Sequence, residues 1–299
     1  MFSEVITSAQ NPKIKRLLAL QQKSSERREA GLFVVEGQRE LQHCIDAGYD
    51  IDTIFVLADD VCEVAASPTN LPLRSIPPTA SGSGPLPLTC PRVDTDLSGE
   101  QQTSLSSARV YRVSSEVYEK IAYRGSTEGV IAEVKAKHIS LSGLKIRENP
   151  LIAVLESVEK PGNLGAVLRS ADAAGVDAVI ICDPLTDLYN PNLIRASIGG
   201  IFSVPCVACS SEEAIKWLKD NNIQILTAQL QDSSLYYDKD MTRGTAIVMG
   251  TESTGLTDIW RKAADAHIRI PMLGQLDSLN VSVSAAILLY EAVRQRSSR

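Results

Sequence analysis

Apolar residues follow two different arrangements along this chain. From residue 151 onward, short continuous apolar runs ("LIAVLESV", "DAVIICD", "VPCVAC", "IQILTAQL", "GTAIVMG", "AHIRIPM") alternate with segments whose apolar positions recur at helical spacing. Those segments are "NLGAVLRSADAAG", the stretch around "PNLIRASIGGIF", "SEEAIKWLKDNN", a helix through Ala264 and a long C-terminal helix. Strands apolar on both faces, alternating with helices, predict a parallel sheet covered on each side. The first part of the chain is a smaller alternating unit. A helix over 11–30 precedes the strand "LFVVEG", the helix "QRELQHCIDAG" closed by Gly48, and the strand "IDTIFVL". After an interruption come "ARVYRVS", a helix around "SEVYEKIA" and "EGVIAEVK".

Composition accounts for the interruption. From about 64 to 108 the chain is rich in Pro, Ser and Thr, and seven of its 14 prolines fall between Pro68 and Pro91. Such a stretch buries too little apolar surface to offset its ordering entropy, so it reads as an insertion within one small domain. The expected organisation is a first domain over 1–137, a polar linker over 138–150 and a second domain over 151–299.

At 44% apolar and 22% charged, the 299 residues have an ordinary globular composition. No apolar run approaches the ~20 residues a membrane span needs. The start, "MFSEVITSAQNPK", has no secretory pattern, so a cytoplasmic location without a membrane partner is the expectation. A net charge of −6 argues against indiscriminate nucleic-acid binding, but residues 1–30 carry six basic side chains against three acidic ones. That run suits either phosphate contact or a solvated helix face. Of the six cysteines only "CVAC" at 206–209 has metal-like spacing, and no second pair or histidine completes four ligands. They read as small strand residues, and no metal is expected.

Ligands of open parallel sheets sit beyond the carboxyl ends of strands. Three such ends stand out: Thr227 and Ala228 in "ILTAQL", Gly250 in "IVMGTESTGL", and "IRIPM", which runs into "LGQLDSLNVSVS". The last enters an apolar helix through Asp277, Ser278, Asn280, Ser282 and Ser284. One capping residue explains one polar group there, not five. Neither a dinucleotide fingerprint nor a P-loop is present. Gly162, Gly165 and Gly175 are spaced too loosely for a pyrophosphate turn.

"NLGAVLRSADAAGVDAVII", "IVMGTESTGL" and "IPMLGQLDSLNVSVSAAI" resemble, in order and spacing, the three signature motifs of the SpoU/TrmH family of RNA ribose methyltransferases, within the SPOUT superfamily. The resemblance spans roughly 151–296. More weakly, "ITSAQNPKIKRLLAL" with "LFVVEGQRELQHCIDAG" is similar to that family's ribosomal-protein-like RNA-binding module. It implies an α/β fold: a parallel-sheet SPOUT domain with a C-terminal trefoil knot, behind a smaller α/β RNA-binding domain. It also implies S-adenosylmethionine as cofactor, RNA as partner and a homodimer. The cofactor residues it implies are Thr227, Ala228, Gly250, Ile270, Met272 and Leu279.

Methyl transfer to a ribose 2′-hydroxyl needs in-line geometry, exclusion of water and relief of a weak nucleophile's proton. The resemblance points to Arg169 as the central catalytic residue, with Asn163, Glu252, Ser278 and Asn280 beside it. A guanidinium stays protonated, so clamping phosphate and stabilising developing alkoxide charge is the physical role open to Arg169. Arg169 also suits a helix-surface ion pair, and Asn163 a helix cap. Asp277 or Ser278 could cap the helix at Asn280. The family usually has glycine where Ser253 stands. The expected activity is methylation of RNA, ribosomal first and transfer RNA second. A noncatalytic RNA-binding protein of the same fold and a nicotinamide-dependent reductase are the alternatives.

Overall fold

A computed structural model of the chain describes residues 5–58, 108–123, 128–251 and 254–297. The stretch expected to be an insertion lies almost wholly outside the described residues. Two compact units divide the chain, 1–136 and 137–299.

In the first unit a sheet of order β1-β4-β3-β5-β2 is formed by Val5–Ile6, Arg109–Val113, Ile51–Leu57, Val130–Lys135 and Leu32–Glu36. Strand β5 runs antiparallel to β2 and β3, and the other pairs are parallel. The single helix expected over 11–30 is two: α1 (Pro12–Gln22) and α2 (Ser24–Ala30). Lys23 is extended between them, and Arg27, nearly buried, donates to the carbonyls of Leu20 (2.6 Å) and Gln21. A guanidinium thus ends α1, satisfying carbonyls the helix leaves open. Ile14, Leu17 and Leu20 of α1 meet Leu32, Val34, Phe55 and Ile131 of the sheet, together with Val117, Tyr118 and Ile121 of α4 (Ser115–Ile121). Helix α3 (Gln38–Asp46) follows β2.

A bulge between Ile51 and Thr53 inserts Asp52 into β3. Asp52 accepts from Arg109 at 2.6 Å, Thr53 at 2.8 Å and Arg16 at 3.3 Å. Glu133, 2% exposed, lies 3.1 Å from Arg16 through one oxygen, while its other oxygen has no partner among the described residues. Burial outweighs the attraction of Arg16 and pushes the Glu133 carboxyl up to about 7 from its ordinary 4.5. A raised carboxyl binds its proton more tightly when folded. Its stabilisation is therefore complete below pH 4.5, declines as pH rises, and is gone above pH 7. We expect the first unit to lose about 2 kcal/mol between pH 5 and 8, and Glu133→Gln to flatten that slope. Urea unfolding at stepped pH checks this, and an equal slope in both chains refutes it.

The second unit carries a seven-stranded, wholly parallel sheet of order β10-β12-β9-β11-β6-β7-β8. Its strands are β6 (Leu151–Glu156), β7 (Ala178–Cys182), β8 (Cys206–Cys209), β9 (Gln224–Ala228), β10 (Ser234–Leu235), β11 (Thr245–Met249) and β12 (Ala266–Arg269). Helices α8 (Ser211–Asp220) and α9 (Asp258–Ala263) cover one face, where Ala214, Leu218 and Trp260 meet Ile152, Val154, Ile180, Ala246 and Val248. Helix α10 (Val281–Ser297) packs on α5 (Pro161–Ala173), β6 and β11.

The helix expected around "PNLIRASIGGIF" is broken into α6 (Pro191–Ser197) and α7 (Gly200–Ser203). Ile198 and Gly199 both take positive φ there, which a continuous helix does not allow. Ile198 is strained because its side chain is β-branched. Cys182 is fully buried in β7 beside Cys209 of the edge strand β8, and no group suited to a metal ion occurs among the described residues.

The linker is not loose. Arg147 clamps Asp177 with two hydrogen bonds of 2.8 Å, and Lys137 meets the Tyr189 hydroxyl. At the other end Arg296 donates to the carbonyls of Met241, Asn149, Pro150 and Arg243. Among the described residues no helix is long and apolar enough to cross a membrane.

From β6 the chain moves outward to β7 and β8, then returns across β6 to β9. Strand β11 is inserted between β9 and β6, and β12 adds beyond β9. The order reverses at the β6–β11 boundary, so the carboxyl ends of β6, β11, β9 and β12 surround the expected ligand position.

Candidate active site

Asn163 does not cap α5. The helix starts two residues earlier at Pro161, whose missing N–H costs nothing at a first position, and Lys160 stands at the cap without a side-chain bond. Gly165 explains the small residue after Asn163. A Cβ there would lie 2.5 Å from the Ala196 Cβ and 2.8 Å from the Ser197 amide nitrogen, so it lets α5 and α6 touch. Six residues beyond Asn163, about 9 Å along the axis, Arg169 is exposed. It has no ion-pair or hydrogen-bond partner among the described residues. The alternative reading of Arg169 as half of a surface ion pair finds no partner there.

At the other end of the chain the capping expectation is also corrected. Neither Asp277 nor Ser278 caps α10. Asn280 does: its side-chain oxygen accepts from the Ser282 amide at 3.0 Å and the Ser282 hydroxyl at 2.6 Å. The same amide turns its nitrogen outward and donates to Asn163 Oδ1 at 3.1 Å. Two candidate residues 117 positions apart thus meet directly. Asn280→Ala is expected to cost about 1 kcal/mol through the lost cap and to lower the expected methyl transfer further by removing the donor to Asn163. Urea unfolding beside initial rates tests this, and an unchanged rate at reduced stability would leave Asn280 only its cap.

The turn after β11 is closed on itself. Thr251 and Gly255 exchange backbone hydrogen bonds of 3.3 and 3.1 Å, and Thr251 Oγ1 accepts from the Thr254 amide at 3.0 Å. Gly250 permits this closure, since a Cβ there would sit 2.3 Å from the Gly255 carbonyl carbon. Glu252 and Ser253 lie outside the described residues. Where the turn ends, Thr257 donates through its amide (2.9 Å) and hydroxyl (2.5 Å) to Glu156, the buried last residue of β6. Ser211 joins the same carboxylate at 3.4 Å, and Trp260 Nε1 donates to Ser211 at 2.9 Å. Glu156 was missed by the sequence reading, although one carboxylate ending the apolar run "LIAVL" was the available signal.

Beyond β9 and β12 opens a small cleft of about 140 Å³, continuous with solvent. Ala228, Ile270, Met272, Ser278 and Leu279 line it, as do Gln229 and Leu230. Thr227 is fully buried at its floor strand, where its hydroxyl and His267 Nδ1 are 2.6 Å apart. Gly250 is not among the lining residues. The chemistry suits a nucleoside-bearing cofactor: apolar walls, the Ser278 hydroxyl, and a Gln229 Oε1 without a donor among the described residues. Because Gln229 Nε2 donates to the Gln231 carbonyl, the amide orientation is set and the unpaired atom is the acceptor. S-adenosylmethionine, which presents both an adenosine and an amino-acid end, fits these residues.

Comparison with known proteins gives a consistent picture. Residues 150–290 match the SpoU rRNA Methylase family, and residues 11–76 match the MRM3-like substrate binding domain. The chain is 35% identical over 176 residues to a 23S rRNA (uridine(2479)-2′-O)-methyltransferase of Streptomyces viridochromogenes, covering 56% of this chain and 61% of that protein. It is 41% identical over 178 residues to the 23S rRNA (guanosine-2′-O-)-methyltransferase RlmB of Photorhabdus laumondii, covering 57% and 72%. The crystal structure of an AdoMet-bound rRNA methyltransferase from Sinorhizobium meliloti superposes with a TM-score of 0.79 at 26% identity, covering 98% of both chains. With its motifs, its parallel sheet and its relatives in agreement, the chain belongs to the SpoU rRNA methylase family.

Proposed function

We propose that this protein transfers a methyl group from S-adenosylmethionine to a ribose 2′-hydroxyl of ribosomal RNA. The observation that carries this reading is the Asn280–Asn163 hydrogen bond. It joins the entrance of α10, which follows the cleft-lining residues 277–279, to the helix bearing the exposed Arg169. When bound, the cofactor supplies an electrophilic methyl on a sulfonium. The rest falls to the chain's own residues. Ala228, Ile270, Met272 and Leu279 exclude water around it, while the backbone at Thr227 in β9 and at Gly250 just past β11 shapes the sheet end. Asn163 and Asn280 orient the incoming ribose, Ser278 offers a hydroxyl at the cleft wall, and Glu252 joins them as a candidate catalytic carboxylate. Arg169 clamps the neighbouring phosphate and stabilises charge developing on the 2′-oxygen.

The first unit, 1–136, holds the RNA, its basic residues Lys13 and Lys15 meeting phosphates. The second unit closes into the family's trefoil knot and pairs with a second copy of itself. Leu273, Leu276, Val283 and Tyr290, exposed by 96, 76, 46 and 49%, supply an apolar surface for that pairing. A bacterial ribosomal RNA substrate would place the reaction in the cytoplasm.

Isothermal titration with S-adenosylhomocysteine, followed by transfer of labelled methyl to ribosomal RNA and mapping of the product ribose, tests the reading. Cofactor binding without transfer to any RNA would reduce the protein to an RNA-binding module. NADH binding instead would favour the reductase.

A further inference from the structure

Among the described residues two charged side chains line the cleft, Arg269 at the end of β12 and Asp277 in the loop before α10. They do not pair with one another, and Asp277 has no hydrogen-bond or ion-pair partner among the described residues. Arg269 is held by one corner alone. Its Nη1 donates to the Ser233 carbonyl and lies 3.4 Å from the Ser233 hydroxyl, whereas Nε and Nη2 donate to nothing among the described residues. Nε and Nη2 form the side-by-side edge of a guanidinium that grips a carboxylate with two parallel hydrogen bonds. Anchoring Nη1 on Ser233 fixes the plane of the fork in advance, which reduces the ordering cost of using it. Asp277 offers the complementary chemistry, an acceptor-only group for a cation.

We infer that Arg269 and Asp277 hold the zwitterionic amino-acid end of the cofactor, Arg269 taking the α-carboxylate through Nε and Nη2 and Asp277 the α-ammonium. The inference rests on the cofactor reading above. Adenine is neutral and calls for no ion. Of the two charges, Asp277 has one other plausible use, the ribose diol, and the test separates it. Most of the other lining residues, Ala228, Leu230, Ile268, Ile270, Leu279 and Leu288 among them, are apolar and suit the uncharged adenosine, with Gln229, Ser278 and Ser284 polar but uncharged.

The test compares S-adenosylhomocysteine with 5′-methylthioadenosine, which keeps adenine, ribose and sulfur but lacks the amino-acid group. Each is titrated calorimetrically into the full chain and into Arg269→Ala, Arg269→Lys and Asp277→Asn. In Arg269→Ala and Asp277→Asn, S-adenosylhomocysteine should bind about ten-fold or more weakly, as expected for a lost charge-assisted hydrogen bond. Arg269→Lys should recover part of the loss, because charge returns without the fork. Affinity for 5′-methylthioadenosine should stay within about two-fold in all three, which also shows the cleft intact. Equal losses for both ligands overturn the assignment, placing Asp277 on the ribose or making Arg269 a support for the 229–233 loop. Unchanged affinity for both overturns it as well. If the unaltered chain binds neither ligand, the cofactor reading itself falls and this assignment with it.

Discussion

Arg169→Ala is expected to lower methyl transfer by a factor of about a hundred or more, the scale of losing one group that meets charge developing in a transition state. S-adenosylhomocysteine affinity should remain, because Arg169 is not among the cleft-lining residues. The protein's stability should hardly change. Arg169 is exposed and makes no ion pair or hydrogen bond among the described residues, and such surface positions typically count for less than about 0.5 kcal/mol. Loss of rate with affinity and stability kept is the signature of a group used only during transfer. Arg169→Lys should recover little, since a lysine replaces a planar fork by a point charge. Single-turnover transfer of labelled methyl to ribosomal RNA, beside calorimetry, measures both quantities. A variant that transfers at the original rate would remove Arg169 from the chemistry.

Glu156→Ala should destabilise the second unit by about 2 kcal/mol. It strips the acceptor from the Thr257 amide and hydroxyl, while the Ser211 hydroxyl keeps Asp183 at 2.6 Å. Thr257 is exposed, so water takes up part of what the carboxylate offered and the cost stays below that of a dry, unpaired donor. Glu156→Gln retains one acceptor oxygen but turns an NH2 toward donors, so an intermediate loss follows. The functional consequence is specific. Thr257 terminates the turn that begins at Gly250, and freeing it should lower the methyl-transfer rate before the sheet itself unfolds. Urea unfolding of the second unit, read beside the methyl-transfer rate, tests both statements. A loss below about 0.5 kcal/mol would mean that water replaces the carboxylate without cost.

Several elements were legible because local pattern and tertiary demand coincide. The runs at 151–156, 178–182 and 245–249 are apolar on both faces and became buried parallel strands. Asn11 before Pro12 announced the start of α1, and its side chain does accept from the Lys13 amide at 2.9 Å. The elements that misled share a different cause. The segments over 11–30 and 191–203 have unbroken helical periodicity, yet each is split. In the first the buried Arg27 stops α1; in the second Ile198 and Gly199 turn left-handed. Periodicity reports which face is apolar, and says nothing of a distant group that takes a carbonyl.

The site divides the same way. Asn163, Arg169, Ser278 and Asn280 were singled out from motif and residue chemistry. Which of them caps a helix was assigned wrongly, because Asn280 could be read as capped or capping from sequence alone. Glu156 and Arg269 passed unnoticed, each being one charged residue at the end of an apolar run. Their importance lies in partners 101 and 36 residues away.

The order of apolar and polar residues by itself determined the strands, the helices and the kind of chemistry available at the strand ends, since those depend on neighbours a few positions apart. Folding decided the rest: the reversal of strand order between β6 and β11, the meeting of Asn163 with Asn280, and the two charges brought to one cleft. The reason is physical. A hydrogen bond across 117 residues, or the meeting of two charges at one cleft, depends on what lies nearby in space, and adjacency along the chain does not encode it.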